Sequence, residues 1–205
     1  NSLIELMSNK EESRIIITSS DVHDPRSSGG NVGKKAGLKN LVGFMEEITG
    51  KFCEFNADKS YKNSKLCNIL FAKELSRRLQ KLSSKISVIT WAPGLVIPNG
   101  DSGFFRYSKR FNLFGYIIFS SLAKNILGIS ESVEYAGELL SKIVFDSNFN
   151  DIRYIHLSNK IISYKKHKLI QSNVSNEANN TELASKLWSL SKEICRSFGF
   201  VTLNI

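Results

Sequence analysis

Short β-branched runs alternate with long amphipathic runs along this chain, and that order constrains the fold more than any other feature. Residues 14–20 read Arg-Ile-Ile-Ile-Thr-Ser-Ser. Three consecutive β-branched apolar residues predict a strand buried on both faces. Over 58–82, Leu66, Ile69, Leu70, Leu75, Leu79 and Leu82 recur at helical spacing, with Lys73, Arg77, Arg78 and Lys81 on the wetter side and Asp58 as the expected N-cap. A second strand is predicted over 86–91, running into Ala92-Pro93-Gly94. A helix follows over 131–145 with Ser130 as its cap. A third strand covers 152–157, which 160–164 extends or pairs with. A last helix starts from Asn180 or Thr181 and runs to about Arg196. Strands and helices in this order imply parallel crossovers, and hence part of a doubly wound α/β sheet. Between the first strand and the first long helix lies a glycine-bearing stretch, 21–59, read as a long insert loop with a short helix near 41–47. A loop of that length is uncommon unless functional.

Composition narrows the function classes. The chain has 205 residues, 41% hydrophobic and 23% charged, an ordinary globular mix that excludes global disorder. Its three cysteines (Cys53, Cys67, Cys195) and three histidines (His23, His156, His167) form no C-x-x-C pair and no metal-type spacing. No zinc or haem site is therefore expected, and unpaired thiols fit a reducing cytosol. The chain opens Asn1-Ser-Leu-Ile-Glu-Leu-Met7, which reads as the middle of an amphipathic helix. A start inside a longer reading frame is expected. Residues 111–129 are the most apolar stretch, but Asn112, Ser120, Ser121, Lys124 and Asn125 interrupt it, so it is not a clean membrane span. Arg106, Lys109 and Arg110 precede it. It reads as a partly buried helix, a flap over an apolar ligand, or a segment lying on a membrane surface. Gly29-Gly-Asn-Val-Gly33-Lys34-Lys35 fails as a phosphate loop, because Ser28 and Lys35 stand where a glycine and a Ser or Thr are needed. No G-x-G-x-x-G occurs. The net charge of +9 and the run Lys165-Lys166-His167-Lys168 suit an anionic surface, but no nucleic-acid motif accompanies them and no nucleic-acid partner is expected.

One pair carries chemistry. Tyr61 and Lys65 are four residues apart on a predicted helix and so share a face. An ammonium beside a phenol favours the phenolate, and a phenol so lowered can trade a proton with a substrate oxygen near neutral pH. Ser20, closing the first strand, is placed to hold the same oxygen.

Together, 15–20 (Ile-Ile-Ile-Thr-Ser-Ser), 61–68 (Tyr-Lys-Asn-Ser-Lys-Leu-Cys-Asn) and 92–94 (Ala-Pro-Gly) resemble the short-chain dehydrogenase/reductases. More narrowly they resemble the branch holding light-dependent protochlorophyllide reductases and retinol-dehydrogenase-like enzymes. The Y-x-x-S-K-x-C-N stretch, the wide gap between Ser20 and Tyr61, and Leu187-Trp188 point to that branch. The resemblance implies the last three strands of a Rossmann-like sheet, with residues 1–205 as the C-terminal portion of one domain. The cofactor-binding half, with its glycine-rich turn, would then precede Asn1. It implies an oxidoreductase using NADP(H) on an apolar substrate, with Ser20 positioning the substrate, Tyr61 donating a proton and Lys65 lowering the phenol and holding the nicotinamide ribose. Pro93, Gly94 and Val96 would line the nicotinamide. Cys67 would face the substrate, or be a core thiol. Residues 95–130 would form the substrate lid. The threonine often found after Pro-Gly in this family is absent from Pro93-Gly-Leu-Val-Ile97. The alternatives are a retinol- or carbonyl-reductase-like activity, or a non-enzymatic basic module on an anionic membrane. A cytoplasmic location is expected, with peripheral membrane contact as an alternative. So is self-association through the open edge of the first strand, with little activity from these residues alone.

Overall fold

The computed structural model describes residues 2–10, 12–49, 55–82, 84–98 and 105–202. Asn1, Cys53, Phe104 and parts of the expected insert and lid lie outside the described residues. A short helix α1 (Ser2–Ser8) precedes strand β1 (Arg14–Thr18). After the long connection and α2 (Phe44–Thr49) comes α3 (Ala57–Lys81). Then follow β2 (Ser87–Ala92), β3 (Leu95–Val96), α4 (Arg106–Phe111) and α5 (Leu113–Ser121). A π-helical turn, Leu122–Ile126, leads to β4 (Ser130–Glu131) and α6 (Val133–Phe145). The chain continues through β5 (Tyr154–Ser163), β6 (Lys166–Gln171) and α7 (Thr181–Ser197).

The main sheet has the order β1-β2-β5-β6. The three predicted strands are parallel, with Thr18 opposite Trp91 and Ala92 opposite Ser158. The fourth strand, β6, runs antiparallel to β5. It is formed by the basic run Lys166-His167-Lys168, whose alternating charge hid a strand exposed on much of its length. The expected extension at 160–164 is real, since β5 runs to Ser163 before turning back.

Side-chain alternation gives the sheet two covered faces. Val88 of β2 packs toward α3 with Ala72, Leu75, Leu79 and Trp188, and α1 adds Ile4 and Met7 there. Ile89 and Trp91 point the other way, to Leu139 and Ile143 of α6. Every residue of β2 is buried, as a central parallel strand requires. The result is a three-layer, doubly wound α/β arrangement.

Two expected caps are corrected. Asn56, not Asp58, caps α3, accepting from the Lys59 amide at 2.9 Å. Ser132, not Ser130, caps α6, because Ser130 and Glu131 are used in a parallel pair with Leu95 and Val96. The apolar stretch 111–129 is not one partly buried helix. It breaks at Asn112, and Phe111, Phe114 and Ile117 are more than half exposed. Among the described residues no helix is long and apolar enough to cross a membrane.

The long connection is pinned to α3 by a buried lysine. Lys62 is 3% exposed. Its ammonium donates to the carbonyls of Val32 and Lys34 and pairs with Asp58 at 3.0 Å. Methionine at this position keeps the bulk but leaves those carbonyls without their donor, a loss of about 1–3 kcal/mol. Lys62→Met therefore lowers the urea midpoint without changing the slope. An unchanged midpoint contradicts this role.

Candidate active site

The site grows from a clamp between α3 and the end of β1. The Ser19 hydroxyl donates to the Lys65 carbonyl at 2.9 Å, and the Asn68 amide nitrogen donates to the Thr18 carbonyl at 3.0 Å. The Ser19 amide donates to the Trp91 carbonyl at 2.7 Å, continuing the β1–β2 ladder one residue further. Tyr61, Lys65 and Asn68 lie on one face of α3 by helical periodicity. The clamp at Lys65 and Asn68 therefore sets Tyr61 above Ser20. The Ser20 hydroxyl lies close enough to the Tyr61 phenol to act on it as a hydrogen-bonding group. The Lys65 ammonium lies 5.4 Å from the centroid of the Tyr61 ring. The three side chains singled out from the sequence are thus together at the carboxyl end of the sheet.

The electrostatics differ from the expectation. Burial pushes the Tyr61 phenol above its ordinary value, and the Ser20 hydrogen bond only partly offsets this. Lys65 contributes no comparable lowering. Its ammonium faces the ring rather than the oxygen, and burial pushes its own pKa down. The proton thus stays on the phenol, which suits a proton donor.

Pro93 and Gly94 follow β2 at the same end of the sheet. Gly94 has φ +87°, and a Cβ there would stand 3.5 Å from Asn159. Only glycine adopts that backbone without strain. The Asn159 amide donates to the Pro93 carbonyl at 3.1 Å and so fixes the turn. Val96 sits one step on, in β3, paired with Glu131. Cys67 is elsewhere: it packs partly buried against the cluster of Leu66, Leu70 and Leu187, a third of a turn from the Tyr61 face. The structure gives it the core position rather than one beside Tyr61.

Sequence reading missed a buried polar network beside Ser20. Asp21 accepts from Ser158 at 2.6 Å and from Lys160 at 2.8 Å. Burial pushes the Asp21 carboxyl up. The His156 imidazole, Lys160 and Ser158 more than reverse this and hold it well below the usual carboxylate range. His156 is hydrogen-bonded to Thr90 at 2.9 Å, which in turn meets the Tyr154 hydroxyl at 2.9 Å. Burial pushes Tyr154 up to about 12. The signal was present: His156, Ser158 and Lys160 alternate along one face of a predicted strand, where an interior strand should be apolar.

His23 closes the network and is 1% exposed. Its Nδ1 is 2.8 Å from the Ser20 carbonyl, and its Nε2 is 3.2 Å from the Ser175 amide. A carbonyl only accepts and an amide N–H only donates, so the ring is neutral with its proton on Nδ1. Burial pushes its pKa down; nearby His156 acts the same way, while the Ser20 carbonyl, Asp21 and Asp24 oppose it. A lowered folded pKa means that the stability is full above the unfolded value of about 6.5 and is lost as pH falls through the folded value. Urea unfolding should thus show lower stability at about pH 5.5 than at about pH 7.5, and His23→Asn should shrink that difference. An undiminished difference in the variant contradicts a neutral His23.

The sheet agrees with the Rossmann-like arrangement that the motif resemblance implies. No protein-family model matches the chain. Its sequence is similar to protochlorophyllide reductase B of Hordeum vulgare, 29% identical over 189 residues, covering 88% of this chain and 45% of that protein. The protochlorophyllide reductase of Cucumis sativus is 29% identical over 188 residues, covering 88% and 44%. Protochlorophyllide reductase A of Oryza sativa subsp. japonica is 28% identical over 190 residues, covering 88% and 46%. The resemblance seen in the motifs therefore extends over most of the chain, and the chain spans less than half the length of these relatives. Among solved structures, an uncharacterized protein from Mycobacterium Paratuberculosis superposes with a TM-score of 0.55 at 16% identity, covering 90% of this chain and 51% of that one. That likeness shows the Rossmann-like fold.

Proposed function

We propose that this chain carries the proton-donating side of an NADP(H)-dependent short-chain reductase acting on an apolar substrate of the protochlorophyllide type. The observation that carries the reading is the approach of the Ser20 hydroxyl to the Tyr61 phenol, with Lys65 over the ring, at the carboxyl end of a parallel sheet. Ligands of open α/β sheets bind there. The nicotinamide end of the cofactor fits the residues present. Gly94 is exposed and leaves room beside the Pro93 turn, and Lys65 is a half-buried cation one helical turn from Tyr61. Bound there, reduced nicotinamide would supply a hydride to one atom of a polarised double bond. Tyr61 supplies the proton to the other atom, so one hydride and one proton saturate the bond. Ser20 would hold the phenol oriented toward the substrate, and Lys65 would take the ribose hydroxyls of the cofactor. Pro93, Gly94 and Val96 would present backbone groups to the nicotinamide.

No G-x-G-x-x-G turn occurs in the 205 residues, so this chain alone should bind NADPH weakly and turn over negligibly. The direct test replaces the matched 189-residue segment of the Hordeum vulgare enzyme with this chain. The chimera should reduce protochlorophyllide. In it, Tyr61→Phe should lower kcat by about 100-fold or more while KM for NADPH stays within a few-fold. A folded, NADPH-binding chimera without turnover, or one indifferent to Tyr61→Phe, contradicts the reading.

A second property rests on α4 and α5. Phe111 is 78% exposed, Phe114 77% and Ile117 52%, and Arg106 and Arg110 flank them. Exposed aromatic and aliphatic side chains beside basic ones suit an anionic bilayer surface. The chain should co-sediment with vesicles containing phosphatidylglycerol more than with phosphatidylcholine alone, and Phe114→Ser should weaken this. Equal sedimentation of the variant argues against the contact.

A further inference from the structure

We infer that His23 and Asp21 are positioning residues that brace the Ser20 backbone so that its hydroxyl meets the Tyr61 phenol. The inference rests on the reading of Ser20 and Tyr61 as the proton-donating pair. Ser20 lies just past Ser19, whose amide makes the ladder bond to Trp91. Its backbone is extended, with φ −161° and ψ 148°, and the chain then turns sharply into a 3-10 turn at Asp21–His23. Such a junction needs fixing from outside, because a small rotation there swings the serine hydroxyl off the phenol.

Two braces act on this turn. The first is His23, whose Nδ1–H donates to the Ser20 carbonyl at 2.8 Å while its own amide reaches the same carbonyl at 3.2 Å. The far side of the ring is tied to the Ser175 amide, so the imidazole bridges the Ser20 turn to the segment leading into α7. The second is Asp21, whose carboxylate is held by Ser158 and Lys160 across β5. The two arms meet where His23 lies edge-on to His156 at 5.4 Å. Burying a neutral histidine and partly burying an ionised aspartate next to a strand end is costly. Both are satisfied, and both act on one residue, the serine whose hydroxyl faces Tyr61.

The test reads the Tyr61 phenol directly. Tyrosine labelled with carbon-13 at Cζ is incorporated into the full chain, and the Tyr61 resonance is identified as the one lost in Tyr61→Phe. Ser20→Ala sets the displacement caused by losing the hydroxyl contact. His23→Gln keeps an acceptor for Ser175 but cannot reach back to Ser20, and should displace the Tyr61 signal at least half as far as Ser20→Ala. His23→Asn keeps a donor at the Nδ1 position and should leave it near the wild-type value. A folded His23→Gln with an unmoved signal, or His23→Asn moving as far as His23→Gln, overturns the inference. Should His23→Gln not fold, Lys160→Met decides. Its side chain reaches solvent, its loss frees the Asp21 arm, and an unmoved Tyr61 signal there overturns the inference as well. None of these readouts needs turnover. A chimera without reductase activity but with this pattern intact would count against the proposed function and not against the brace.

Discussion

Two hydrogen bonds from side chains of one structural element to the backbone of another hold this site together: Ser19 to the Lys65 carbonyl and Asn68 to the Thr18 carbonyl. Each crosses between the end of β1 and the N-terminal half of α3. They convert a generic helix-on-sheet contact into a fixed register. A helix sliding by one residue would rotate Tyr61 by about 100° away from Ser20. Apolar packing alone does not set that register, since leucines tolerate small slides. The polar clamp does, and it places the phenol, the ammonium and the serine hydroxyl at the carboxyl end of the strands.

The surroundings of the clamp explain why the phenol keeps its proton. Tyr61 is largely buried, and burial disfavours the phenolate more than the Ser20 hydrogen bond favours it. A lysine four residues on along the helix sits over the ring face, where its charge stabilises the π system more than the oxygen. Asp21 and His23 resolve the same conflict in opposite ways. Asp21 stays ionised because Ser158 and Lys160 meet its carboxylate. His23 stays neutral because its two ring nitrogens face one acceptor and one donor.

Much of the fold was legible in the sequence, because buried parallel strands and amphipathic helices have unmistakable periods. β1, β2, the start of β5, α3, α6 and α7 all follow from those periods. Of the site, Ser20, Tyr61, Lys65 and the Pro93–Gly94 turn were visible as residue types at fixed spacing. What was not legible depends on contacts distant in sequence. β6 is strand because it has β5 to pair with, not because Lys-His-Lys favours extension. Ser130 fails as a cap because Leu95 claims it for a two-residue ladder. Cys67 shares the motif with Tyr61 yet turns toward Leu66 and Leu187, a difference of helical angle that a motif written in one line conceals. His23 appeared as an isolated histidine because its partners, Ser20 and Ser175, are 3 and 152 residues away along the chain.

The central claim is that the serine hydroxyl and a buried phenol share a hydrogen bond at the end of β1. It is tested most directly by titrating the Tyr61 phenol in the ligand-free chain and in Ser20→Ala. The account predicts a midpoint above the ordinary tyrosine value of about 10 in the first and a still higher one in the second. A Tyr61 that ionises at or below that value, or whose midpoint ignores the loss of the Ser20 hydroxyl, would contradict it.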